Sequence, residues 1–327
     1  MKHPPFTALL AGVAAFALLL PATAAHAASE PDSAADAVAQ TISEVAPSEI
    51  VAADLAPVSS GVAATLDGGG QTHVATDPSD GIEVVSADGT DVLSFTLPAA
   101  GRLDDAVVAE DGSVTYLGDA KTPSVNVVAA EDALRVTTVI DSPAQAQRFS
   151  YDFGAGATVE IQEDGGAIAY VVEQVTDPET GETVTAEKIV ADVEAPWAKD
   201  ANGVDVPTRY VASGSVLTQV VSHAKGMHAY PVTADPTFDR PNFFQYRVRF
   251  NRAETATIAS GGAGVIASIG CGPMLPVCVL AGSVLWWNAS NAQNSSPKRC
   301  VQITATYPYL TPGLIWWVDT YRGGPCR

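Results

Sequence analysis

The sequence predicts a mainly β protein, an antiparallel β-sandwich-like region followed by a small disulfide-bonded α+β module of β-α-α-β-β order. Three observations carry this reading. Short runs of β-type residues alternate with Asp-Gly and Asn-Gly turns at roughly ten-residue intervals over positions 82–238. All four cysteines, Cys271, Cys278, Cys300 and Cys326, fall in the last 57 residues. Net charge also reverses near position 238. Residues 28–238 hold 34 Asp/Glu against 8 Lys/Arg, whereas residues 239–327 hold 3 against 8.

Residues 1–27 have the pattern of an export signal. A basic start at Lys2 precedes an apolar run from Phe6 to Leu20, and Ala25-His26-Ala27 supplies the small-x-small motif for cleavage. The run is about fifteen residues, short of the roughly 20 that a spanning helix needs. Cleavage after Ala27 is therefore expected over an uncleaved anchor, and the predicted location is extracellular or cell-surface. Residues 28–81 are rich in Ala, Asp, Ser and Gly and read as a tether with one marginal helix. In that helix, Asp32 to Val45, the residues Ala35, Val38, Ile42 and Val45 recur at helical spacing.

Residues 82–238 form the predicted acidic β-rich domain. Runs such as Asp91–Leu97, Leu134–Ile140 and Ala167–Glu173 are rich in β-branched and aromatic residues. The turns between them, including Asp88-Gly89, Asp111-Gly112, Asp164-Gly165 and Asn202-Gly203, tolerate the positive φ of tight hairpins. About twelve strands fit this span. Asp200 to Asp205 comes nearest to a calcium loop, but it lacks the ordered spacing and the distal Glu.

Residues 239–327 form the predicted basic module. Phe244 to Phe250 alternates as a half-buried strand does, and Asn251 with Glu254 three residues on is a helix-start signature. Gly272, Pro273 and Pro276 should interrupt the helix that follows, and a second helix from Val279 to Asn288 should run back along it. Val301–Tyr307 and Leu314–Tyr321 then read as a hairpin around Thr311-Pro312-Gly313. Burial of Ile258, Val265, Ile269, Leu280, Val284 and Leu285 is expected to keep the helices soluble. The uncharged stretch between Glu254 and Lys298, with Trp286-Trp287, also admits a membrane-spanning or conditionally inserting hairpin.

An even cysteine count in an exported chain points to two disulfides. The spacings do not fit a zinc site, and no His lies nearby. Hairpin geometry favours Cys300–Cys326, and the turn between helix ends favours Cys271–Cys278. His73 falls in the tether, while His223 and His228 flank a turn and read as solvent-facing. No nucleophile elbow, phosphate loop or dinucleotide fingerprint occurs, so no catalytic, cofactor or metal residue is assigned. The acidic region makes nucleic acid a poor partner and leaves an extracellular, cell-wall or membrane partner.

The stretches Ala195–Gly203, Val206–Thr208 and Leu217–Val221, with His223 and the string Tyr230-Pro231-Val232-Thr233-Ala234-Asp235-Pro236-Thr237, carry a resemblance. They are similar to an exported region of uncharacterised secreted proteins of high-GC Gram-positive bacteria. The resemblance implies a carrier followed by a variable module and assigns no activity. The functional expectation is a non-enzymatic secreted protein whose C-terminal module binds or acts on a target. The alternatives are a bacteriocin-like module masked by the acidic region, a wall hydrolase using carboxylates of the β-rich domain, and a single-pass membrane-anchored protein.

Overall fold

The computed structural model describes residues 33–176, 183–241, 244–261, 275–306 and 315–326. Helix α1 (Ala34–Val45) starts at Ser33, whose Oγ accepts a hydrogen bond from the Asp36 amide at 3.2 Å. It buries Ala35, Ala39 and Ile42, and Asp36 Oδ1 accepts from the Glu110 amide at 2.8 Å, tying the helix to the sheet region.

Residues 55–81 correct the tether reading. Strands β1 (Leu55–Val58), β2 (Gly61–Thr65), β3 (Gln71–Ala75), β4 (Ile82–Val85) and β5 (Val92–Phe95) form one antiparallel sheet in sequence order. Its inward face carries small alanines beside Val74, Ile82, Val84, Leu93 and Phe95, so the apolar alternation is muted over residues 61–75. His73 therefore lies in a strand, paired with Ala63 and Glu83. At Gly61 a Cβ would stand 2.1 Å from the Val74 carbonyl oxygen, so only glycine fits this close approach of two strands.

The main sheet begins with β6 (Val107–Val108), β7 (Val114–Tyr116), β8 (Ser124–Ala129) and β9 (Ala133–Ile140). Strands β10 (Arg148–Asp152), β15 (Thr208–Ser213) and β16 (Val216–Val221) make a separate three-stranded sheet. Between them in sequence lie β11 (Ala157–Ile161), β12 (Ala167–Thr176), β13 (Thr183–Val193) and β14 (Trp197–Lys199). Then come β17 (Val232–Asp235), β18 (Thr237–Asp239) and β19 (Gln245–Arg249). After the helices α2 (Arg252–Gly261), α3 (Leu275–Leu280) and α4 (Gly282–Asn294), β20 (Cys300–Thr306) and β21 (Trp316–Tyr321) close the chain's β structure. The main path runs β21-β20-β19-β13-β18-β9-β8-β7-β6, so the sheet is continuous across position 238. All described residues belong to one compact unit, Pro31–Arg327.

The larger core lies between these sheets. Phe95 stacks on Phe238 with ring centroids 4.6 Å apart, and Phe153 meets Phe238 edge-on at 6.2 Å. Tyr116 donates to the Ala75 carbonyl at 2.6 Å, linking the five-stranded sheet to the main one. The turns form as their residues dictate, with Gly89, Gly112, Gly165 and Gly203 all at positive φ. In the Asp200 loop the carboxylate accepts from the Asn202, Val204 and Ala229 amides, and it serves as a turn cap.

His223 departs from its expected exposure. It is buried, its Nε2 donating to the Ala146 carbonyl at 2.9 Å and its Nδ1 lying 3.0 Å from the Tyr230 hydroxyl. Residues 224–226 take the exposed tip of the turn, so the histidine at its base points inward. Burial lowers its pKa from the usual imidazole value.

The second core lies under the helices. Tyr246, Val248, Phe250, Val301, Ile303 and Ala305 from the sheet meet Ile258, Val277, Ala281, Leu285 and Ala289. Asn251 and Glu254 form the expected reciprocal cap, at 3.0 and 2.7 Å. Pro276 lies in the first turn of α3, where its missing N–H costs nothing, so α3 precedes α4 where one helix was expected. Ile258 and Leu285 are buried as predicted, but Leu280 and Val284 are exposed. The inward face of α4 is Leu285, Ala289 and Ala292, which turns Val284 and Trp287 outward. Val265 and Ile269 lie outside the described residues. Among those described, no helix is long and apolar enough to cross a membrane.

One buried charge gives a pH signature. Asp235 is almost fully buried and accepts from the Thr237 hydroxyl, with Arg135 Nε 3.6 Å away. Burial raises its pKa to about 7 despite the bond from Thr237 and the charge of Arg135. Unfolded, the same carboxyl ionises near 4. Between those values the native state holds the extra proton, so this residue's contribution is full below about pH 4 and falls as pH rises to 7. The loss is at most about 4 kcal/mol at 1.36 kcal/mol per unit. Asp235→Asn should remove that slope. Urea midpoints of both proteins at pH 4.5, 5.5 and 7 should show the wild type falling relative to the variant as pH rises, and parallel curves or a wild type that gains on the variant would refute the assignment.

Candidate functional site

Strand alternation sorts the C-terminal sheet into two faces. On β13, β19, β20 and β21, the apolar positions described above face the helices. The intervening positions make the other face. Glu187 pairs across the ladders with Arg247, Thr304 and Trp317. Ile189 pairs with Gln245 and Thr306, while Arg249 pairs with Gln302 and Asp319. A helix-backed sheet thus presents a polar row to the opposite side.

That face is the floor of a groove of about 660 Å³, walled by β11, the β11–β12 turn, β12 and β21. Its volume falls in the ~300–1,000 Å³ range of small-molecule sites. Arg247 and Gln245 are buried in it, with Ile168 and Ile189 as an apolar patch between strands.

The charges beside the floor are interlocked. Arg247 Nε donates to Glu187 Oε2 at 2.7 Å, and Arg249 Nε donates to Glu187 Oε1 at 2.8 Å. Arg249 also donates to Glu160 Oε2 at 2.7 Å and to the Tyr170 hydroxyl at 3.1 Å. Both guanidinium groups lie over the Tyr170 ring, at 5.2 and 5.4 Å. Burial alone would lower the Arg249 pKa, but the charges and bonds of Glu187 and Glu160 outweigh it and drive it above the usual guanidinium value.

Three groove-lining polar atoms have no hydrogen-bond partner among the described residues. These are Arg247 Nη2, Arg299 Nε and Gln302 Oε1. Arg247 Nη2 sits 2.6 Å from Glu187 Oε2, close enough for an ion pair but without hydrogen-bond geometry. Arg299 is anchored elsewhere, its Nη2 donating to the Thr320 carbonyl at 2.7 Å and pairing with Glu163. All three atoms are buried and lie beneath the groove surface, and Arg247 Nη2 is also 3.6 Å from Glu160 Oε2.

Asp192 and Asp319 stand at the rim and remain solvent-exposed. Partial desolvation raises both carboxyls, and at Asp192 the charges of Asp239, Asp164 and Glu194 add repulsion. Trp317 offers a half-buried ring on the same wall. Among the described residues no group of three or more His, Cys, Asp or Glu is disposed to hold a metal ion.

The expected Cys300–Cys326 disulfide is present, with Cα atoms 5.6 Å apart at the open end of the β20–β21 hairpin. It packs on Tyr321, which lines the groove. Cys278 is buried on the helical side and disulfide-bonded, whereas Cys271 lies outside the described residues. The groove residues themselves were not singled out from the sequence. The available signal was the placement of Arg247 and Arg249 at alternating positions of one strand, a costly pattern unless acids face them.

Glu187→Gln should leave two buried guanidinium groups short of a counter-charge. The expected loss is about 3 kcal/mol, at the low end for a broken buried pair because Glu160 still serves Arg249. Denaturant titration of the variant with an unshifted midpoint would show that the network carries no such weight.

No family profile matches the chain, and no curated protein matches it. Among solved structures it is similar to a protein described as "Structure of the gh92 family glycosyl hydrolase ccman5", at 12% identity and a TM-score of 0.27. The match covers 74% of this chain and 34% of that one, so the chain spans about a third of that enzyme's length. At that TM-score the likeness carries no argument about fold or activity.

Proposed function

We propose that this is an exported, non-enzymatic binding protein, in which the β-rich domain carries a disulfide-closed C-terminal module that engages an extracellular or cell-wall partner through the groove. The observation that carries this reading is the groove of about 660 Å³, floored by the polar row of β13, β19, β20 and β21 and walled by the half-buried Trp317. The signal-like N-terminus, the resemblance to secreted proteins of high-GC Gram-positive bacteria and the disulfide support an extracellular setting.

Binding is favoured over hydrolysis by how the acids are used. Glycoside cleavage needs one carboxyl kept protonated in a dry pocket and a second one free to act. Here Glu187 and Glu160, the acids beside the floor, are bound to arginines, and Asp192 and Asp319, though raised by partial desolvation, stand at the exposed rim and not in a dry pocket. The continuous sheet speaks against a module masked until release, because separation would break the β13–β19 ladder and both Arg–Glu pairings. The exposed Val279, Leu280 and Trp287 on α3 and α4 keep a membrane partner in view as the competing target.

The test is co-sedimentation of residues 28–327 with insoluble cell-wall material and, separately, with anionic vesicles. Wall binding that falls at least tenfold in a Gln302→Ala/Trp317→Ala double variant is the expected result. Release of soluble reducing ends would replace this reading with the hydrolase, and vesicle binding without wall binding would replace it with the membrane-active module.

A further inference from the structure

We propose that the cleft where the three sheets meet is a second binding site, which takes an oxyanion group, a carboxylate or phosphate, between Arg102 and Arg148. It shares no lining residue with the groove and stands whether or not the groove binds a partner.

The topology builds this cleft from all three sheets. Past β5 the Thr96 amide donates to the Asp152 carbonyl at 3.1 Å, which joins the end of the five-stranded sheet to β10. Val125 of β8 pairs with Thr138 of β9, and both line the cleft from the main sheet. Arg148 and Ser150 come from β10, where Phe149 and Tyr151 are buried in the core and alternation turns their neighbours outward. Arg102 comes from the short turn Ala100–Arg102 that follows β5. Ala99 starts that turn at φ 57° and ψ 23°, one of two non-glycine residues at positive φ among those described. Such a conformation persists only where the surrounding structure enforces it, and it concentrates at ligand clamps. The Arg102 amide secures the bend by donating to the Ala99 carbonyl at 2.9 Å.

Charge singles this cleft out. Residues 28–238 hold 34 Asp/Glu against 8 Lys/Arg, so a base in this region has acids in excess to pair with. Arg135, Lys188 and Lys199 do so, with Asp235, Asp91 and Asp205. Arg102 and Arg148 are exposed and take part in none of the ion pairs among the described residues. No Asp or Glu lines the cleft between them. Asp152, on the same strand as Arg148, is engaged by the Ser215 hydroxyl and the Gly154 amide.

Two guanidinium groups on one acid-free cleft select the ligand. A cation is repelled by both, and a neutral group leaves their mutual repulsion in place. An oxyanion neutralises them and accepts paired N–H bonds in the planar fork that arginine offers and lysine does not. Both side chains are exposed, so the anion reaches them without rearrangement. Size sets the rest. The cleft holds about 180 Å³, below the ~300–1,000 Å³ of sites that enclose a whole drug-sized ligand. It has room for one headgroup. A polyanion would bring many further charges against the acids that dominate this region, and a single group does not.

The test is a nuclear magnetic resonance titration of the full, oxidised protein that follows the arginine Nε–H signals. The probes are inorganic phosphate, phenyl phosphate and benzoate as oxyanions, benzamide as a neutral body and benzylamine as a cation. Saturable shifts of the Arg102 and Arg148 signals with at least one oxyanion, and none with benzamide or benzylamine, are expected. Arg102→Ala and Arg148→Ala should each weaken that oxyanion at least tenfold. Arg209→Ala is the control, because Arg209 shares the Val220 row with Arg148, lies outside the cleft and removes the same charge. It should leave binding within twofold. Circular dichroism and Tm of the three variants should match the parent, since each side chain is exposed.

Binding of inorganic phosphate supports a site for the free ion, and binding of phenyl phosphate or benzoate alone supports one for an organic headgroup. Shifts that grow linearly to tens of millimolar with every oxyanion overturn the inference. So does a loss in Arg209→Ala equal to that in the cleft variants. Benzamide binding as tightly as benzoate overturns it too, because the cleft would then select on shape and not on charge.

Discussion

Glu187 stands opposite Arg247 in the β13–β19 ladder and reaches Arg249 one pleat further along the same strand. One carboxylate thus answers two guanidinium groups that the chain has placed beside the groove. Such a network adds little net stability, since desolvation consumes most of the attraction. Its effect is on register. A slip of one residue between β13 and β19 would drive both arginines into the helix-side core and Val248 into the polar groove, an exchange that no repacking recovers. The helices, the groove floor and the hairpin that ends in the disulfide all take their positions from that register.

The charge reversal along the sequence acquires a structural meaning here. Arg247 and Arg249 pair with Glu187 and Glu160, and Arg299 pairs with Glu163. The bases come from the C-terminal part and the acids from the preceding region, so the two compositions complement each other across one sheet. A sequence reading takes opposite net charges as a sign of two independent bodies. In the folded chain they are the two halves of a joint.

Much of the fold was legible where a residue type has only one local solution. Asp-Gly pairs gave turns with positive φ, Asn251 and Glu254 gave a reciprocal cap, and alternation through Phe244–Phe250 and Val301–Thr306 gave strands. The misses share a cause, namely that environment overrode local composition. Ala63, Ala64 and Ala75 look like linker residues until a facing sheet makes small side chains the correct fit. His223 looks like part of an exposed turn until Ala146 and Tyr230 satisfy both ring nitrogens. Val284 looks like core until the neighbouring alanines take the inward face of its helix. The groove was hidden for the same reason, because Glu160, Glu187, Arg247 and Gln302 meet only after five strands, β11, β12, β13, β19 and β20, are in register.

The continuous sheet also bears on how the chain assembles as it is made. Synthesised N-terminus first, β13 is complete about fifty residues before its partner β19, and throughout that interval its edge is an open template for any other extended chain. A long, apolar, uncharged strand would invite such pairing. This one carries the charged residues Glu187 and Lys188 at its centre, and Glu187 disfavours indiscriminate strand addition until its matching arginines arrive. The side chain that fixes the register of the finished sheet therefore also guards its unfinished edge, and a strand bearing two arginines at alternate positions satisfies it.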